Sequence, residues 1–371
     1  MTITSQEPLI APIHFFFLIA VFQIKKIMKI LVTGNNGYIG TVLTEILYNQ
    51  NFDVVGLDNN YFEQCNLTKV NNLSNQIIKD IRDVSIKDVK NIDGIIHLAA
   101  LSNDPLGELV PKVTEDINYK STIKLASLAK KTGVKRFVNV SSQSMYGVSD
   151  IDEELDEEHS KKNPLTAYAA TKWKSEIELN QMSDDNFVVT SFRPSTVFGV
   201  SPRLRCDIVF NYFVACAYTT GKIEILSDGT PRRPVVHIKD VCQAIIAGIK
   251  APKELVNKKS FNVGIKDGNF TIKELAEIAQ KSIPGSQLFF LKKHTDARSY
   301  KVSFSRIFDQ LGNFYKPQWN LDMGAKELID YFKRVKFTED DFRGRKCNRL
   351  KQLQYLISEN FISNELKKTR I

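Results

Sequence analysis

The amino-acid sequence predicts an α/β fold in which helices cover both faces of a doubly wound parallel sheet, with a smaller C-terminal α/β lobe. Short apolar runs alternate with helical patterns through the first half of the chain, a glycine-rich turn follows the first run, and an aspartate ends the second. Repeated strand–helix units form a parallel sheet that is covered on both faces. Ligands of such sheets bind at the carboxyl ends of the strands.

The predicted strands are short apolar runs bounded by polar residues or glycine. They cover residues 29–33, 52–57, 76–79, 94–99, 136–141 and 187–191. Helical periodicity covers 38–47 and 116–131, and a further helix contains Tyr168 and begins after Pro164. The acidic run at 150–158 predicts a solvated loop.

These patterns divide the chain into four parts. An extension at 1–27 precedes a sheet domain at 28–195, to which residues 230–265 return. A smaller lobe at 196–335 and a basic tail at 336–371 follow. Because no Gly/Ser linker separates the halves, we expect a cleft between closely packed lobes.

Composition and charge exclude several other classes of protein. The 371 residues, 43% of them hydrophobic, support a large core. The five cysteines form no C-x-x-C pair and the five histidines do not cluster, which argues against a disulfide framework or a metal site and favours the reducing cytoplasm.

Most of the net charge of +9 lies in the C-terminal tail. Residues 333–371 contain eleven Lys/Arg and five Asp/Glu, which gives a net charge of +6. We expect this tail to pack its apolar side on the body, with binding to an acidic partner as the alternative.

Residues 1–27 precede the first strand. Their apolar stretch at 9–22 has 14 residues, whereas a membrane span needs about 20. It also lacks the charged start and the cleavage site of a signal peptide. We therefore expect an upstream extension that ends before Met28, with a membrane-surface anchor as the minority alternative.

The turn after the first strand has the spacing of a dinucleotide-binding site. Gly34, Gly37 and Gly40 lie between the strand and a helix, and Tyr38 and Ile39 separate the last two glycines. Glycines permit a tight turn and a close approach of the backbone to a pyrophosphate, which the positive start of the helix then holds. A glycine turn without a ligand is the alternative reading.

Asp58 ends the second strand, 18 residues after Gly40. A carboxylate at this position accepts hydrogen bonds from an adenosine ribose and repels a 2′-phosphate. The sequence therefore predicts a Rossmann-type domain that binds NAD rather than NADP.

Tyr168 and Lys172 lie four residues apart in a predicted helix, so their side chains leave the same face. A free tyrosine has a pKa near ~10, and a nearby cation favours the phenolate. We expect Lys172 to lower the pKa of Tyr168 toward useful acid–base chemistry. Ser142 stands at the end of an apolar strand shortly before this helix.

Together these residues resemble the extended short-chain dehydrogenase/reductase family, specifically its nucleotide-sugar epimerase/dehydratase branch. The resemblance covers about residues 28–335. Its matching pieces are Gly34, Gly37 and Gly40, Asp58, Asp80 with Ile81, His97 to Ala100, Ser141 to Gly147, Tyr168 with Lys172, Arg193 to Gly199, and Arg233 to Asp240.

The resemblance implies a role for each residue of the catalytic and cofactor sites. Tyr168 would be the acid/base on a sugar hydroxyl, Lys172 would bind the nicotinamide ribose, and Ser142 would hydrogen-bond the reacting oxygen. The remaining expected cofactor contacts are Asp80 and Ile81 at the adenine, Leu98, Ala99 and Ala100 along the diphosphate, and Asn118. His97 is expected to be a packed core residue.

The resemblance also implies a substrate site for a nucleotide sugar. Arg233 and Arg298 would grip the diphosphate, since arginine offers forked donors and a permanent charge. The other expected substrate contacts are Ser102, Asn103, Ser144, Thr196 and Arg203, with Arg205 as a further candidate. No metal ion is expected.

The residues after Ser142 distinguish between reactions of this branch. Dehydratases of the branch carry an Asp-Glu pair there, whereas this chain has Gln143 and Ser144, which cannot act as carboxylates. The sequence therefore favours an NAD-dependent epimerase that oxidises a hydroxyl transiently and returns the hydride. A keto-reductase, a dehydrogenase and a decarboxylase of the same family remain open.

Two interpretations from other classes remain beside the enzyme. A non-catalytic dinucleotide-binding protein would usually lack the tyrosine or the lysine, and this chain has both. A nucleic-acid or membrane-associated module would use the basic tail and show strong salt dependence. We expect the protein to contact neither nucleic acid nor a membrane. We expect it to form a homodimer through residues 116–131 and the Tyr168 helix.

Overall fold

The computed structural model describes residues 27–70, 73–149, 154–291 and 299–369. Strands β1–β14 run Lys29–Thr33, Asp53–Asp58, Asn75–Ile78, Gly94–His97, Arg136–Val140, Glu154–Leu155, Val188–Pro194, Thr196–Phe198, Lys222–Ile225, Arg232–His237, Lys259–Val263, Asn269–Thr271, Gln287–Phe290 and Lys301–Val302. Helices α1–α14 run Tyr38–Asn49, Ile86–Val89, Asp104–Gly107, Pro111–Glu115, Ser121–Lys131, Ala167–Met182, Val209–Thr220, Ile238–Lys250, Lys253–Val256, Ile272–Ser282, Ser305–Leu311, Leu321–Val335, Glu339–Arg343 and Arg349–Ser358.

Seven strands form one parallel sheet in the order β3-β2-β1-β4-β5-β7-β11. The strand order reverses between β1 and β4. In this sheet β2 and β3 lie on one side of β1, and β4, β5, β7 and β11 lie on the other. Such a reversal leaves a crevice at the carboxyl ends of the two strands. The predicted doubly wound parallel sheet is confirmed.

Alternate residues of β1 enter two apolar cores on opposite faces of the sheet. Ile30 and Val32 pack in the core that contains residues of α1 and α8. Leu31 packs in the core that contains residues of α5 and α14. Side chains of a strand point alternately to the two faces, so an apolar run such as β1 forms where both faces are covered.

Three small sheets and several helices form the second lobe. β8, β10 and β12 make one sheet, β9 pairs with β13, and β6 pairs with β14. Helices α7, α10 and α12 pack on one another. Within the stretch 230–265, β11 is an edge strand of the main sheet and α8 packs on that sheet, whereas β10 pairs with β8 in the small sheet.

The predicted helix at 116–131 changes its helical type. Residues Asp116–Lys120 form a π-helical turn, and α5 follows it directly. Asn118 lies in this turn and holds the backbone of Leu101: its Oδ1 accepts from the Leu101 amide at 2.8 Å, and its Nδ2 donates to the Leu101 carbonyl at 3.1 Å. π-turns often occur at functional sites, and this one supports a loop that borders the cavity described below.

The C-terminal residues pack on the sheet domain. Leu353 and Leu356 of α14, together with Ile362 and Leu366 after it, are buried in the core that also holds Leu31. The apolar side of the predicted tail thus faces the body of the protein, as expected.

The predicted extension at 1–27 lies outside the described residues apart from Ile27, and so does the start of the predicted loop at 150–158. Among the helices that the structure describes, none is long and apolar enough to cross a bilayer.

Candidate active site

A cavity of about 1120 Å³ runs along the carboxyl ends of the main strands and continues between the two lobes. The glycine turn and Asp58 line one part of it, and Tyr168 and Lys172 line another. Arg233 of the smaller lobe lines the same cavity. Groups predicted to bind a dinucleotide, to transfer a proton and to hold a diphosphate therefore line one cavity.

The glycine turn is shaped so that a larger residue would clash with the backbone. Gly34 has a φ of +73°, and an added Cβ would lie 2.8 Å from the amide nitrogen of Ala99. A Cβ on Gly40 would collide with the carbonyl oxygen of Gly34. The turn thus brings bare backbone to the start of α1, which is the arrangement that admits a pyrophosphate.

Asp58 lies at the end of β2 and is held by backbone amides. Its Oδ1 accepts from the Asn60 amide at 2.8 Å, and its Oδ2 accepts from the Asn36 amide at 3.2 Å. Burial raises the pKa of the Asp58 carboxyl, while these amides and the charges of Arg203 and Arg349 oppose the rise. The carboxyl lines the cavity beside the glycine turn, where it can meet a ribose.

Tyr168 and Lys172 project from the first two turns of α6 into the cavity. Thr166 caps this helix by accepting a hydrogen bond from the Ala169 amide at 3.2 Å. The Lys172 ammonium donates to the Val140 carbonyl at 2.7 Å. Burial lowers the pKa of Lys172 to about 8, and the charge of Glu176 opposes this shift.

The predicted lowering of the Tyr168 pKa by Lys172 is wrong for the protein without cofactor. Burial, with a smaller contribution from the Asp104 carboxyl, raises the pKa of Tyr168 to about 12. The Ser142 hydroxyl and the charge of Arg205 act in the opposite direction, but they do not outweigh the loss of water around the phenol.

Ser142 begins a short 3₁₀ turn, Gln143–Tyr146, at the carboxyl end of β5. Its Oγ accepts from the Ser144 amide at 3.1 Å and lies 2.9 Å from the Ser144 Oγ. Gln143 donates through Nε2 to the Arg193 carbonyl at 3.0 Å. The two positions after Ser142 therefore present an amide and a hydroxyl to the cavity and no ionisable group.

A polar network borders the part of the cavity nearest Ser102. Arg205 makes a bidentate ion pair with Asp207 at 2.9 and 3.0 Å, and its Nη1 donates to Ser102 Oγ at 3.0 Å. Asn103 donates to Asp207 at 3.2 Å. All four side chains line the cavity, so of the predicted substrate residues Ser102 is held by Arg205 and Asn103 by Asp207.

The smaller lobe contributes Arg233 and Thr196 to the cavity. The Arg233 guanidinium lies over the ring of Tyr300, 5.6 Å from its centroid, and its Nη1 donates to the Arg232 carbonyl at 2.8 Å. Arg233 is only 8% exposed. A mostly buried guanidinium in a cavity is suited to an anionic ligand.

Three predicted site residues do not line the cavity. The Asp80 carboxylate is bound by Arg82 at 2.6 to 3.1 Å and so is not directed to an adenine. The Asn118 amide is used by the Leu101 backbone, behind the cavity wall. Arg203 lies beside Asp58 and Arg349 rather than in the substrate part, where Arg205 lies instead. Arg298 lies outside the described residues.

The other predicted site residues all line the cavity: Gly34, Gly37, Tyr38, Ile39, Gly40, Asp58, Ile81, Leu98, Ala99, Ala100, Ser102, Asn103, Ser142, Ser144, Tyr168, Lys172, Thr196 and Arg233. Sequence reasoning missed further lining residues, among them Tyr61, Phe62, Asp104, Asp207, Arg349 and Leu366. The aromatic pair Tyr61 and Phe62, which follows β2 after Asn59 and Asn60, was a signal for an apolar part of the cavity wall.

His97 is a packed core residue, as expected. Its Nδ1 lies 2.7 Å from Thr33 Oγ1, and its Nε2 lies 2.7 Å from Thr122 Oγ1. Burial lowers the pKa of His97 to about 3, so the imidazole is neutral at neutral pH. The side chain ties β1 and β4 to α5.

Comparison with protein families agrees with this geometry. Residues 30–264 match the model of the NAD dependent epimerase/dehydratase family. The chain belongs to this family. Its members are enzymes that use NAD, so the predicted enzyme class and the predicted cofactor are confirmed. The match ends well before the C-terminal residues that pack on the sheet domain.

Individual members of the NAD dependent epimerase/dehydratase family are distant relatives of this chain. A putative UDP-glucose 4-epimerase from Methanocaldococcus jannaschii is 27% identical over 82% of this chain and 98% of that protein. UDP-glucuronic acid decarboxylase 1 from Arabidopsis thaliana is 26% identical over 86% of this chain and 73% of that protein. The structure of UDP-glucuronic acid 4-epimerase from Bacillus cereus with UDP-glucuronic acid and NAD is 25% identical, with a TM-score of 0.70 over 83% of this chain and all of that chain.

The residues present fit the NAD that this family uses. Glycine at positions 34 and 40 lets the turn fold tightly at the start of α1, since a Cβ at either position would clash with backbone atoms, and such a turn fits the pyrophosphate of NAD. Asp58 faces the cavity with a carboxylate suited to ribose hydroxyls. Tyr168 and Lys172 line the continuation of the same space, where the nicotinamide end of the dinucleotide would lie.

Proposed function

We propose that this protein is an NAD-dependent epimerase that inverts one carbinol of a UDP-activated sugar. The observation that carries the proposal is that Ser142, Tyr168 and Lys172 line one cavity with the glycine turn and Arg233, while positions 143 and 144 offer no carboxylate. An oxidation and its reversal need a proton acceptor at the hydroxyl, but they need no second acid to expel water.

Each of this chain's residues has one task in the proposed reaction. Tyr168 Oη accepts the proton of the sugar hydroxyl and later returns it, and the Ser142 hydroxyl orients the same oxygen. Lys172, held by Val140, places a positive charge beside the phenol and the ribose. When bound, NAD supplies a nicotinamide that takes up hydride and returns it, and whose positive charge favours the Tyr168 phenolate.

The nucleotide diphosphate is assigned to the smaller lobe. Arg233 is mostly buried and lines the cavity there, and a guanidinium pairs with diphosphate oxygens through two donors. We take uridine as the nucleotide because several relatives that span most of this chain are named for UDP-sugars, although one is named dTDP-D-glucose 4,6-dehydratase. Arg298 stays a second candidate for the diphosphate.

A decarboxylase acting on a UDP-sugar acid is the second candidate. One relative, which aligns with 86% of this chain, is named UDP-glucuronic acid decarboxylase. The two reactions begin with the same oxidation and differ in what happens to the keto-sugar. A 4,6-dehydratase is disfavoured by Gln143 and Ser144.

A panel of UDP-sugars and UDP-sugar acids tests the proposal. Each is incubated with purified protein and NAD, the product is identified by NMR and mass spectrometry, and NADH is followed by absorbance. Epimerisation gives a product of unchanged mass and no NADH. A product that has lost carbon dioxide identifies the decarboxylase, and one NADH per product identifies a dehydrogenase.

We also expect a homodimer in the reducing cytoplasm. The five cysteines are free and buried, which suits a reducing compartment. Ile177 on the outer side of α6 is 42% exposed, and α6 packs beside α5, so these helices can form a face for a second copy. Light scattering on the wild type and on Ile177→Arg tests this, and a monomeric wild type would contradict it.

A further inference from the structure

Residues 337–369, here called the C-terminal cover, lie against the adenosine part of the NAD cavity. They contain α13, α14 and a final turn closed by a bridge between Ile362 and Lys368. Leu353, Leu356 and Leu366 of the cover share one apolar core with Tyr61 and Ile81. Tyr61 and Ile81 follow β2 and β3, where an adenosine is expected, so the cover closes this side of the cavity.

Specific hydrogen bonds hold the end of the cover in place. Tyr61 Oη donates to the Leu366 carbonyl at 2.7 Å, and Arg82 Nη2 donates to the same carbonyl at 2.6 Å. Asp80, which pairs with Arg82 at 2.6 Å, orients that guanidinium. Lys367 of the cover reaches Asp83 at 2.9 Å. The Asp80 predicted to bind adenine thus supports the part of the protein that covers it.

Side chains of the cover form part of the cavity surface itself. Arg349, Leu350, Leu353 and Leu366 line the cavity on the same side as Asp58 and Phe62. The Arg349 guanidinium lies over the Phe62 ring, 4.9 Å from its centroid. A ligand in this part of the cavity would contact the cover directly.

Arg349 brings a buried positive charge that no carboxylate of the described residues pairs with at ion-pair distance. It is 3% exposed, and its hydrogen bonds go to two carbonyls, those of Lys346 at 3.3 Å and Arg203 at 2.7 Å. Arg203 is equally buried, and its Nε and Nη1 have no hydrogen-bond partner. Burial lowers the pKa of both arginines, the charge of Arg349 further lowers the pKa of Arg203, and the charge of Arg205 further lowers the pKa of Arg349. Two such guanidinium groups near Asp58 leave an excess of positive charge that an anionic ligand would neutralise.

We propose that the C-terminal cover is a built-in wall of the NAD site, in which Leu353 and Leu366 enclose the adenosine and Arg349 pairs with a phosphate of the dinucleotide. The proposal rests on this cavity being the NAD site. Because the cover is anchored on both sides of the adenosine part, NAD leaves only when the cover opens. A cofactor retained in this way suits a reaction that regenerates NAD in every turnover.

Calorimetric NAD binding to Arg349→Met and Arg345→Met tests the charge. Arg345 lies in the same cover and does not line the cavity, so the two variants lose the same charge from the same segment. Arg349→Met should bind NAD about tenfold to a hundredfold more weakly, as expected for a lost hydrogen bond to a charged group, and Arg345→Met should match the wild type. Equal dissociation constants for all three proteins would overturn the role of Arg349.

The rate at which bound NAD exchanges tests the wall. Leu366→Ala removes a side chain that lines the cavity, and Leu356→Ala removes one that packs in the same core without lining it. Stopped-flow displacement of NAD should be faster for Leu366→Ala than for Leu356→Ala, with circular dichroism showing that both remain folded. If both variants accelerate release equally, loosening of the fold explains the effect and the wall is not in contact with NAD.

These measurements use NAD alone and are independent of the sugar. A wild type that binds NAD but converts no UDP-sugar would refute the proposed epimerase and leave the cover intact as a proposal. A wild type that does not bind NAD would refute both.

Discussion

The Lys172 ammonium lies 2.7 Å from the Val140 carbonyl, two residues before Ser142. One hydrogen bond therefore fixes α6, which carries Tyr168, against the end of β5, which carries Ser142. The proposed catalytic residues come from different elements, and this contact sets the distance between those elements. The contact also holds the Lys172 cation in a buried position. Burial lowers its pKa to about 8, so the effect of this charge on the free energy of unfolding can be measured.

The stability of the NAD-free protein should depend on pH through Lys172. The pKa of Lys172 is about 8 in the folded protein and 10.5 for an ordinary lysine, so the folded chain releases this proton at a lower pH than the unfolded chain. The cost of burying the charge is complete below about pH 8 and disappears as the pH rises from about 8 to 10.5. Urea unfolding at both ends of this window measures the effect. From the lower to the higher pH, the free energy of unfolding of the wild type should rise by on the order of 3 kcal/mol relative to that of Lys172→Met. For Lys174→Met, on the exposed side of α6, the difference in free energy of unfolding from the wild type should not change over this pH range. If the difference for Lys172→Met is also independent of pH, the Lys172 charge is not buried at a cost.

Replacing Tyr168 with Phe should abolish most of the activity and spare cofactor binding. The substitution keeps the ring and removes the oxygen that transfers the proton, so kcat should fall by about 10²- to 10⁴-fold. The dissociation constant for NAD should stay within about twofold, because a phenol that bonds only the reacting oxygen contributes little to NAD binding. Tyr119→Phe, whose hydroxyl bonds Glu178 rather than lining the cavity, serves as the control. Unchanged turnover in Tyr168→Phe would remove Tyr168 from the mechanism.

A single substitution of Asp58 should shift the preference from NAD toward NADP. The charges of Arg203 and Arg349 already act on this carboxyl, so Asp58→Ser removes the charge that repels a 2′-phosphate and leaves two nearby positive charges that attract it. The ratio of NADP to NAD affinity should rise by about tenfold or more. Asp53→Ser, at the other end of β2, removes the same charge away from the cavity and should leave the ratio as it is. If Asp58→Ser behaves like Asp53→Ser, the ribose does not lie at Asp58.

Arg233→Lys should weaken substrate binding more than it slows the chemistry. Lysine keeps the charge but loses the forked donors that match a diphosphate, so KM for the UDP-sugar should rise by about tenfold with a smaller change in kcat. Arg232→Lys, whose side chain does not line the cavity, should behave like the wild type. Equal KM values for both variants would place the diphosphate elsewhere.

The parts of the site that sequence reasoning could predict are those whose geometry is local. Gly34 to Gly40 form a turn between adjacent elements, and Tyr168 and Lys172 are one helical turn apart, so residue spacing alone brings them together. Arg203 and Arg205 are two residues apart in a loop, and spacing could not decide which of them faces the cavity.

The remainder of the site depends on contacts between distant parts of the chain. Asp80 is bound by Arg82 and Asn118 by the Leu101 backbone, and these partners could not be inferred from the spacing. Leu366 meets Tyr61 across 305 residues, which only the folded chain reveals. For the same reason the Tyr168 pKa was predicted in the wrong direction, since its burial results from the packing of several elements.

Isotope labelling of the sugar tests the central claim most directly. A UDP-sugar that the protein converts is prepared with deuterium at the carbinol to be inverted, and the product is analysed by NMR with NADH followed in parallel. We expect the inverted sugar with its deuterium retained and no net NADH, because the hydride is returned to the same sugar before that sugar leaves the cavity. Loss of the deuterium to solvent, or accumulation of one labelled NADH per sugar, would contradict it.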